Sequence, residues 1–458
     1  MCQLLLVAPL SLSLLSGCAT LPDPSLVIAQ PAAQSAQFSN AKGPLSLQKS
    51  AAILAELQRK SGDIDILERQ VVLEQAITDS PLLVGNKVTL LQDGHETYAA
   101  MFAAMRGAKD HVNLESYIFD DDEIGQQFSD LLIELRGRGV RVNVIYDSVG
   151  GLGTPAAFFD RLAQSGVQVL EFNPVNPLAA RVTWKINHRD HRKLLVVDGA
   201  TAFIGGINIS SVYSSGSILK RSRKAKPTPE GWRDTHLKIE GPVVEEFQKL
   251  FLQTWDKQKG VLLDSKNYFP QLPVKGSDIV RAIGSTPSDP FSLIYVTLMS
   301  AIGNAEKSIY LTNAYFVPDP QLLQSLVDAA HRGVDVKLLL PSLSDSSLVF
   351  HAGRAHYQAL LEGGVKIYER SGAVLHSKTA VIDGVWSTVG STNLDWRSFR
   401  DNDEINAVIL GREFAQQMGV MFSKDLAASH QIDLPAWNQR SSGLRLKEWM
   451  AQLLGRLL

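Results

Sequence analysis

Cysteine is almost absent from this chain. The two present, Cys2 and Cys18, both precede the first periodic segment, so the globular part can hold neither a disulfide framework nor a thiolate metal site. An excess of one charge is also lacking: Lys plus Arg number 45 against 47 for Asp plus Glu, a formal net charge of -2. That balance excludes neither nucleic acid nor a membrane, because a local basic groove can sit inside a near-neutral total. Beyond residue 20 no apolar run reaches the ~18 residues that span a bilayer. What is present is a globular composition, 45% apolar and 20% charged, in 458 residues. That length exceeds what one core usually organises, so two domains, or one built from two halves, are expected.

The first residues read as an export signal. Leu4–Val7 and Leu10–Leu15 form an apolar stretch that ends in Leu15-Ser16-Gly17-Cys18, which resembles a bacterial lipobox, although no Lys or Arg precedes it. The resemblance implies a lipoprotein-type signal peptide over 1–18, diacylation of Cys18 and a lipid-anchored place in the bacterial cell envelope. Ala19 after the cysteine points to the outer membrane, facing the periplasm, in a Gram-negative cell. Residues 19–46, rich in Pro, Ala, Ser and Gln, read as a flexible tether. Residues 47–80 read as a helical segment, with Ile53, Leu57, Leu67 and Val71 at helical spacing on either side of Ser61-Gly62-Asp63.

From Pro81 onward strand-like runs alternate with helical segments, which argues for an α/β architecture. The segment is also duplicated. Val112–Phe119 (VNLESYIF), followed by Arg138-Gly139-Val140, recurs as Ile309–Phe316 (IYLTNAYF), followed by Arg332-Gly333-Val334; Gly166-Val167-Gln168-Val169 recurs as Gly364-Val365-Lys366-Ile367. Matches in one order at a near-constant offset mark duplication of one unit. Residues 81–265 and 266–430 are therefore expected to be tandem α/β repeats, mixed sheets flanked by helices, related by a pseudo-twofold with the active site at their interface. Residues 431–458 read as an amphipathic tail, with Leu446, Trp449, Met450, Leu453, Leu454 and Leu457 at helical spacing. Such a stripe suits a membrane interface or packing on the body equally.

Each repeat carries the same polar pattern. His191-Arg192-Lys193, Asp198-Gly199 and Asn208 in the first match His376-Ser377-Lys378, Asp383-Gly384 and Asn393 in the second. Strand residues i and i+2 share a face, so His191 projects with Lys193 and His376 with Lys378. Asp-Gly is a tight-hairpin signal, and the return strands carry Asn208 and Asn393 back toward the same end. If the halves face each other, two imidazoles, two ammonium groups and two amides converge. Such a pocket suits phosphodiester chemistry. Lys193, Lys378, Asn208, Asn393 and the Ser391 hydroxyl can stabilise the non-bridging oxygens, while one histidine attacks phosphorus and the other moves the proton. The lysines supply the positive charge, so neither a metal nor a cofactor is expected. One H-x-K-x4-D would be weak evidence; two, at matching positions of a repeat, are strong.

These residues resemble the doubled HKD signature of the phospholipase D superfamily. The resemblance implies a two-lobed α/β fold, a phosphohistidine intermediate and metal-independent transfer. By the family pattern His191 is the nucleophile and His376 the general acid and base, an order the symmetric motifs leave open, with Asp198 and Asp383 supporting the site. Gly206 stands where many members place Ser. Within the superfamily, Glu115–Phe119, Asn313–Asp319, Trp232–His236 and Val385–Glu404 are similar to bacterial cardiolipin synthases, over residues 85–430. That similarity implies transfer of a phosphatidyl group from a donor phospholipid, phosphatidylglycerol or phosphatidylethanolamine, to phosphatidylglycerol at a membrane surface. Glu115 and Glu404 are expected to hold a substrate hydroxyl or brace a histidine, a structural ion pair being the plainer alternative. Three other functions fit the same residues: a hydrolase releasing phosphatidic acid, a metal-independent nuclease and a non-catalytic lipid binder. The export signal and flanking motifs argue against nucleic acid as the partner. Lys220–Lys226, with five cations in seven residues, suits anionic headgroups or simply solvent.

Overall fold

The computed structural model describes residues 21, 35–62, 66–176, 185–214 and 231–455; the expected signal peptide, Cys18 and the basic segment 220–226 lie outside them. Each repeat opens with a strand, Leu82–Gln92 or Asp278–Ser285, and these two pair antiparallel through Asn86 with Asp278 and Leu83 with Val280. Outward from this seam the strand order is the same on both sides. In the first repeat it runs Thr235–Glu240, Thr201–Gly205, Lys193–Val197, His111–Ser116, Arg141–Asp147, Gln168–Phe172. In the second it runs Asn402–Leu410, Trp386–Gly390, Lys378–Ile382, Ser308–Asn313, Asp335–Pro341, Lys366–Arg370. An antiparallel seam between corresponding strands generates the pseudo-twofold.

Local chemistry explains the repeated unit. The three outer strands of each half are parallel, so helices must cross between them. Helix Glu123–Gly137 is started by the Asp122 side chain, which accepts from Gly125 N, and buries Phe128, Leu131, Leu132 and Leu135 at helical spacing. Asp319 caps helix Pro320–His331 in the same way, with Pro320 in the first turn. Both helices end in the Arg-Gly-Val turn, where Gly139 and Gly333 adopt φ of +87° and +92°, a left-handed conformation that glycine enters without a Cβ clash.

Three cores result. One underlies each repeat, and a third lies between them, built from Ile204, Leu237, Phe247, Val280, Val389, Ile405 and Met418. Because the junction is itself a packed apolar core, the halves hold a fixed relation rather than hinging. The helical segment docks on the second repeat. Glu74 pairs with Arg281 at 3.1 Å and accepts from Trp386 Nε1 at 3.0 Å.

Two boundaries differ from the compositional reading. Residues 35–46, which composition assigns to the tether, are packed: strand Phe38–Asn40 pairs with Leu82 and Leu83, and Phe38 is fully buried. One large apolar side chain anchors a stretch whose average composition is polar. At the other end, strand Ser429–Ile432 pairs with Lys366–Arg370, so the sheet runs past residue 430. Among the described residues no helix is long and apolar enough to cross a membrane.

Candidate active site

His191 and His376 each lie two residues before a buried strand, Lys193–Val197 or Lys378–Ile382. Each is held by the opposite repeat. The backbone N–H of His191 donates to Asp403 O at 2.9 Å, and that of His376 donates to Arg233 O at 2.8 Å. The next residue along each of these accepting segments carries an acid. His191 Nδ1 lies 3.0 Å from Glu404 Oε1, and His376 Nδ1 lies 2.7 Å from Asp234 Oδ2. The two acids are topological equivalents. Asp234 sits two residues before His236, which pairs with Gly205; Glu404 sits two before Asn406, which pairs with Gly390. With Nδ1 occupied by a carboxylate, Nε2 of each ring is left to carry chemistry.

The lysines complete the pocket. Lys193 Nζ donates to His191 O at 2.5 Å and stands 5.2 Å from the Tyr117 ring, which lies edge-on to His191 at 5.1 Å. Lys378 Nζ donates to His376 O and lies 3.0 Å from His376 Nδ1. Burial depresses Lys193 to about 7 and Lys378 to about 8, against the raising influence of Glu404 and Asp234. Burial and the nearby Lys193 charge hold His191 down to about 4 despite Glu404; burial and Lys378 likewise lower His376. The empty pocket thus resists positive charge, and an arriving phosphodiester anion favours the charged forms. Around His376 stand Tyr213, whose hydroxyl is 3.4 Å from Nδ1, Trp232 at 5.3 Å between ring centres and Tyr315 at 6.1 Å.

Of the other residues singled out from sequence, Asp198, Asp383 and Glu115 lie away from the two histidines, whereas Ser391 and Asn208 bond groups that touch them. Asp198 and Asp383 are at the far end of their strands, where each accepts three backbone N–H groups: Lys109, Asp110 and His111 for Asp198, Glu306, Lys307 and Ser308 for Asp383. They tie the hairpin to the start of the neighbouring strand and do not reach the histidines. Glu115 pairs across from Leu194, on the face opposite Lys193, and is buried near Arg192, Asp190 and Thr254 rather than in the pocket. Burial raises it to about 7, opposed chiefly by the Arg192 charge. The Ser391 hydroxyl donates to Glu404 and accepts from Ile405 N at 3.0 Å, so it holds the acid instead of reaching for a phosphate. Asn208 spans Ile118 N and the Tyr213 hydroxyl, at 3.1 and 2.9 Å. Asn393 is buried with no partner for its Oδ1 among the described residues.

Gly206 in place of Ser now has a cause. A Cβ at Gly206 would collide with the Asp234 carboxylate, because the shorter acid approaches the backbone where Ser391 stands in the other half. Asp234 itself was visible only as part of the Trp232–His236 match. The segment from Asn208 to Asp234 is longer than that from Asn393 to Glu404, which breaks the constant offset that would have aligned the two acids.

Doubled imidazole–lysine pairs, shared across a duplicated α/β sheet, define the phospholipase D class of enzymes. The family described as "Cardiolipin synthase, PLD-like domain" matches residues 101–215 and 298–426, segments that hold both histidines and Glu404 but not Asp234. The cardiolipin synthase of Geobacillus kaustophilus (strain HTA426) is 36% identical over 389 residues, 84% of this chain and 75% of that protein. That of Listeria innocua serovar 6a is 34% identical over 394 residues, 85% and 79% of the two chains. In fold, the chain is similar to the phosphatidylserine synthase of Haemophilus influenzae Rd KW20, with a TM-score of 0.60 and 14% identity over 84% of this chain and 99% of that one. The chain belongs to the cardiolipin synthase family and is an enzyme of the phospholipase D phosphatidyltransferase type.

Proposed function

We propose that this enzyme makes cardiolipin by moving a phosphatidyl group from a donor phospholipid to phosphatidylglycerol. The observation that carries the reading is the reciprocal bracing of His191 by Glu404 and His376 by Asp234 across the pseudo-twofold, with Lys193 and Lys378 between them. His191, neutral at physiological pH, attacks phosphorus through Nε2. The bond from phosphorus to the headgroup oxygen breaks, and His376 gives that oxygen its proton. His376 then takes a proton from a hydroxyl of phosphatidylglycerol, whose oxygen displaces His191 and forms the second phosphodiester. Lys193 and Lys378 stabilise the negative charge on the non-bridging oxygens in both steps. With phosphatidylglycerol as donor the alcohol released is glycerol. A diacylated Cys18 would keep the enzyme on an envelope membrane, where both lipids are present.

Lipid mass spectrometry of cells lacking cardiolipin tests this. Complementation restores cardiolipin with the wild-type chain and not with His191→Ala. Accumulation of phosphatidic acid without cardiolipin would assign the chain to the hydrolases.

A further inference from the structure

The last described helix, Ser442–Leu453, faces the opposite way from a helix of an ordinary soluble body. Its buried side is narrow and polar or small. Glu448 accepts from Arg440 Nε at 2.8 Å and pairs with Arg354 at 3.7 Å, and Ala451 packs with Val317 and Ala352. On the other side, Leu446, Trp449, Met450 and Leu453 follow at i, i+3, i+4 and i+7 and are 56%, 56%, 56% and 64% exposed. Soluble helices turn such a stripe inward. The buried ion pairs of Glu448 hold this helix with its stripe outward.

Charge and position identify what covers it. Arg445 and Lys447 are exposed on the helix, while its one acid, Glu448, is buried and paired, so the outward surface carries apolar groups, cations and neutral polar groups but no acid. That combination matches an anionic lipid surface. The helix packs along Ser347–Arg354, and the loop leading into that partner helix carries Asp345. Asp345 accepts from the Tyr315 hydroxyl at 2.5 Å, and the Tyr315 ring stands 6.1 Å from His376. Leu343 and Leu348, on either side of Asp345, are exposed as well. Exposed leucines thus stand both on the tail helix and around the loop whose Asp345 holds Tyr315 beside His376.

We propose that this surface seats the enzyme on an anionic phospholipid bilayer. Trp449 lies at headgroup level, and Leu446 and Leu453 enter the acyl boundary. The pocket then meets the phosphodiester while the acyl chains stay in the membrane. The proposal rests on the phospholipid reading of the active site and adds the surface and orientation by which that substrate is reached.

The test uses the full chain with Cys18→Ser, so that no acyl anchor contributes, and vesicles of phosphatidylglycerol and phosphatidylcholine with brominated chains. Part of the tryptophan fluorescence is quenched, and that part is missing in Trp449→Phe. The double variant Leu446→Ser, Leu453→Ser loses at least about tenfold in turnover on vesicles. It keeps turnover of monomeric dihexanoyl-phosphatidylglycerol within about twofold. Equal quenching with and without Trp449 overturns the proposal, as does equal loss on vesicles and on monomeric lipid. A dimer that the double variant dissociates, with vesicle binding unchanged, also overturns it and assigns the face to a second copy. Quenching and binding as expected, with neither lipid turned over, leaves the docking surface standing and defeats the catalytic reading instead.

Discussion

The carboxylate of Asp234 lies 2.7 Å from Nδ1 of His376, and the two residues belong to different repeats. Glu404 and His191 make the reciprocal pair at 3.0 Å. Neither repeat alone therefore holds an oriented imidazole, and under the proposed mechanism catalysis depends on the packed junction between the halves. Under that mechanism Asp234 is a positioning residue that acts through His376, by fixing its tautomer and favouring its charged form.

Asp234→Asn is expected to lower kcat by roughly 10²- to 10⁴-fold with unchanged far-ultraviolet circular dichroism. Asp234 raises the pKa of His376, so its loss moves the alkaline limb of the kcat/KM profile to lower pH. A structural role alone would reduce the amount of folded enzyme without moving that limb.

The order of the two histidines can be read from a trapped intermediate. With a phosphatidyl donor bearing a p-nitrophenol leaving group, little general-acid assistance is needed. His376→Ala is expected to accumulate a phosphatidyl adduct that intact-mass spectrometry detects, and His191→Ala to form none. An adduct on His191→Ala would reverse the assignment.

Asp198→Asn separates support from chemistry. Its carboxylate accepts from Lys109, Asp110 and His111 N at 2.8 to 3.0 Å, and hydrogen bonds to a charged group contribute about 1.5–3 kcal/mol. The variant should melt several degrees lower by differential scanning fluorimetry, with kcat of the folded enzyme within a few-fold of wild type. A loss as large as that of His191→Ala would return Asp198 to the reacting centre.

Stability should fall on the acid side through His236. Neither ring nitrogen has a hydrogen-bond partner among the described residues, and burial holds its pKa down to about 3. The unfolded chain binds this proton below about 6.5 and the native state does not, so unfolding becomes easier as the pH falls from about 6.5 toward 3. His236→Gln should show a shallower decline in urea midpoint over that window. An unchanged slope would assign the loss to other groups.

Much of this enzyme was legible in residue order. The doubled His-x-Lys motif, the Asp-Gly hairpins and the Arg-Gly-Val turns are short-range patterns, and period-2 strands with left-handed glycines follow from local sterics. Duplication then supplied the two-lobed α/β architecture. Sequence and structure differ where tertiary packing overrides a local average or moves a single position away from its motif. Phe38 packs inside a stretch of polar composition, and Asp198 lies a whole strand away from the histidine of its own motif.

Residue order alone carries the repeat, its strands and helices, and the four basic groups of the candidate site, because each depends on spacing within a few residues. Long-range packing alone sets which acid braces which histidine, turns Glu115 away from the pocket and points the leucines of the tail helix outward. Those facts depend on which faces of distant segments meet across the seam of Leu82–Gln92 and Asp278–Ser285. Spacing along a chain carries no record of that meeting; packing of the shared core does.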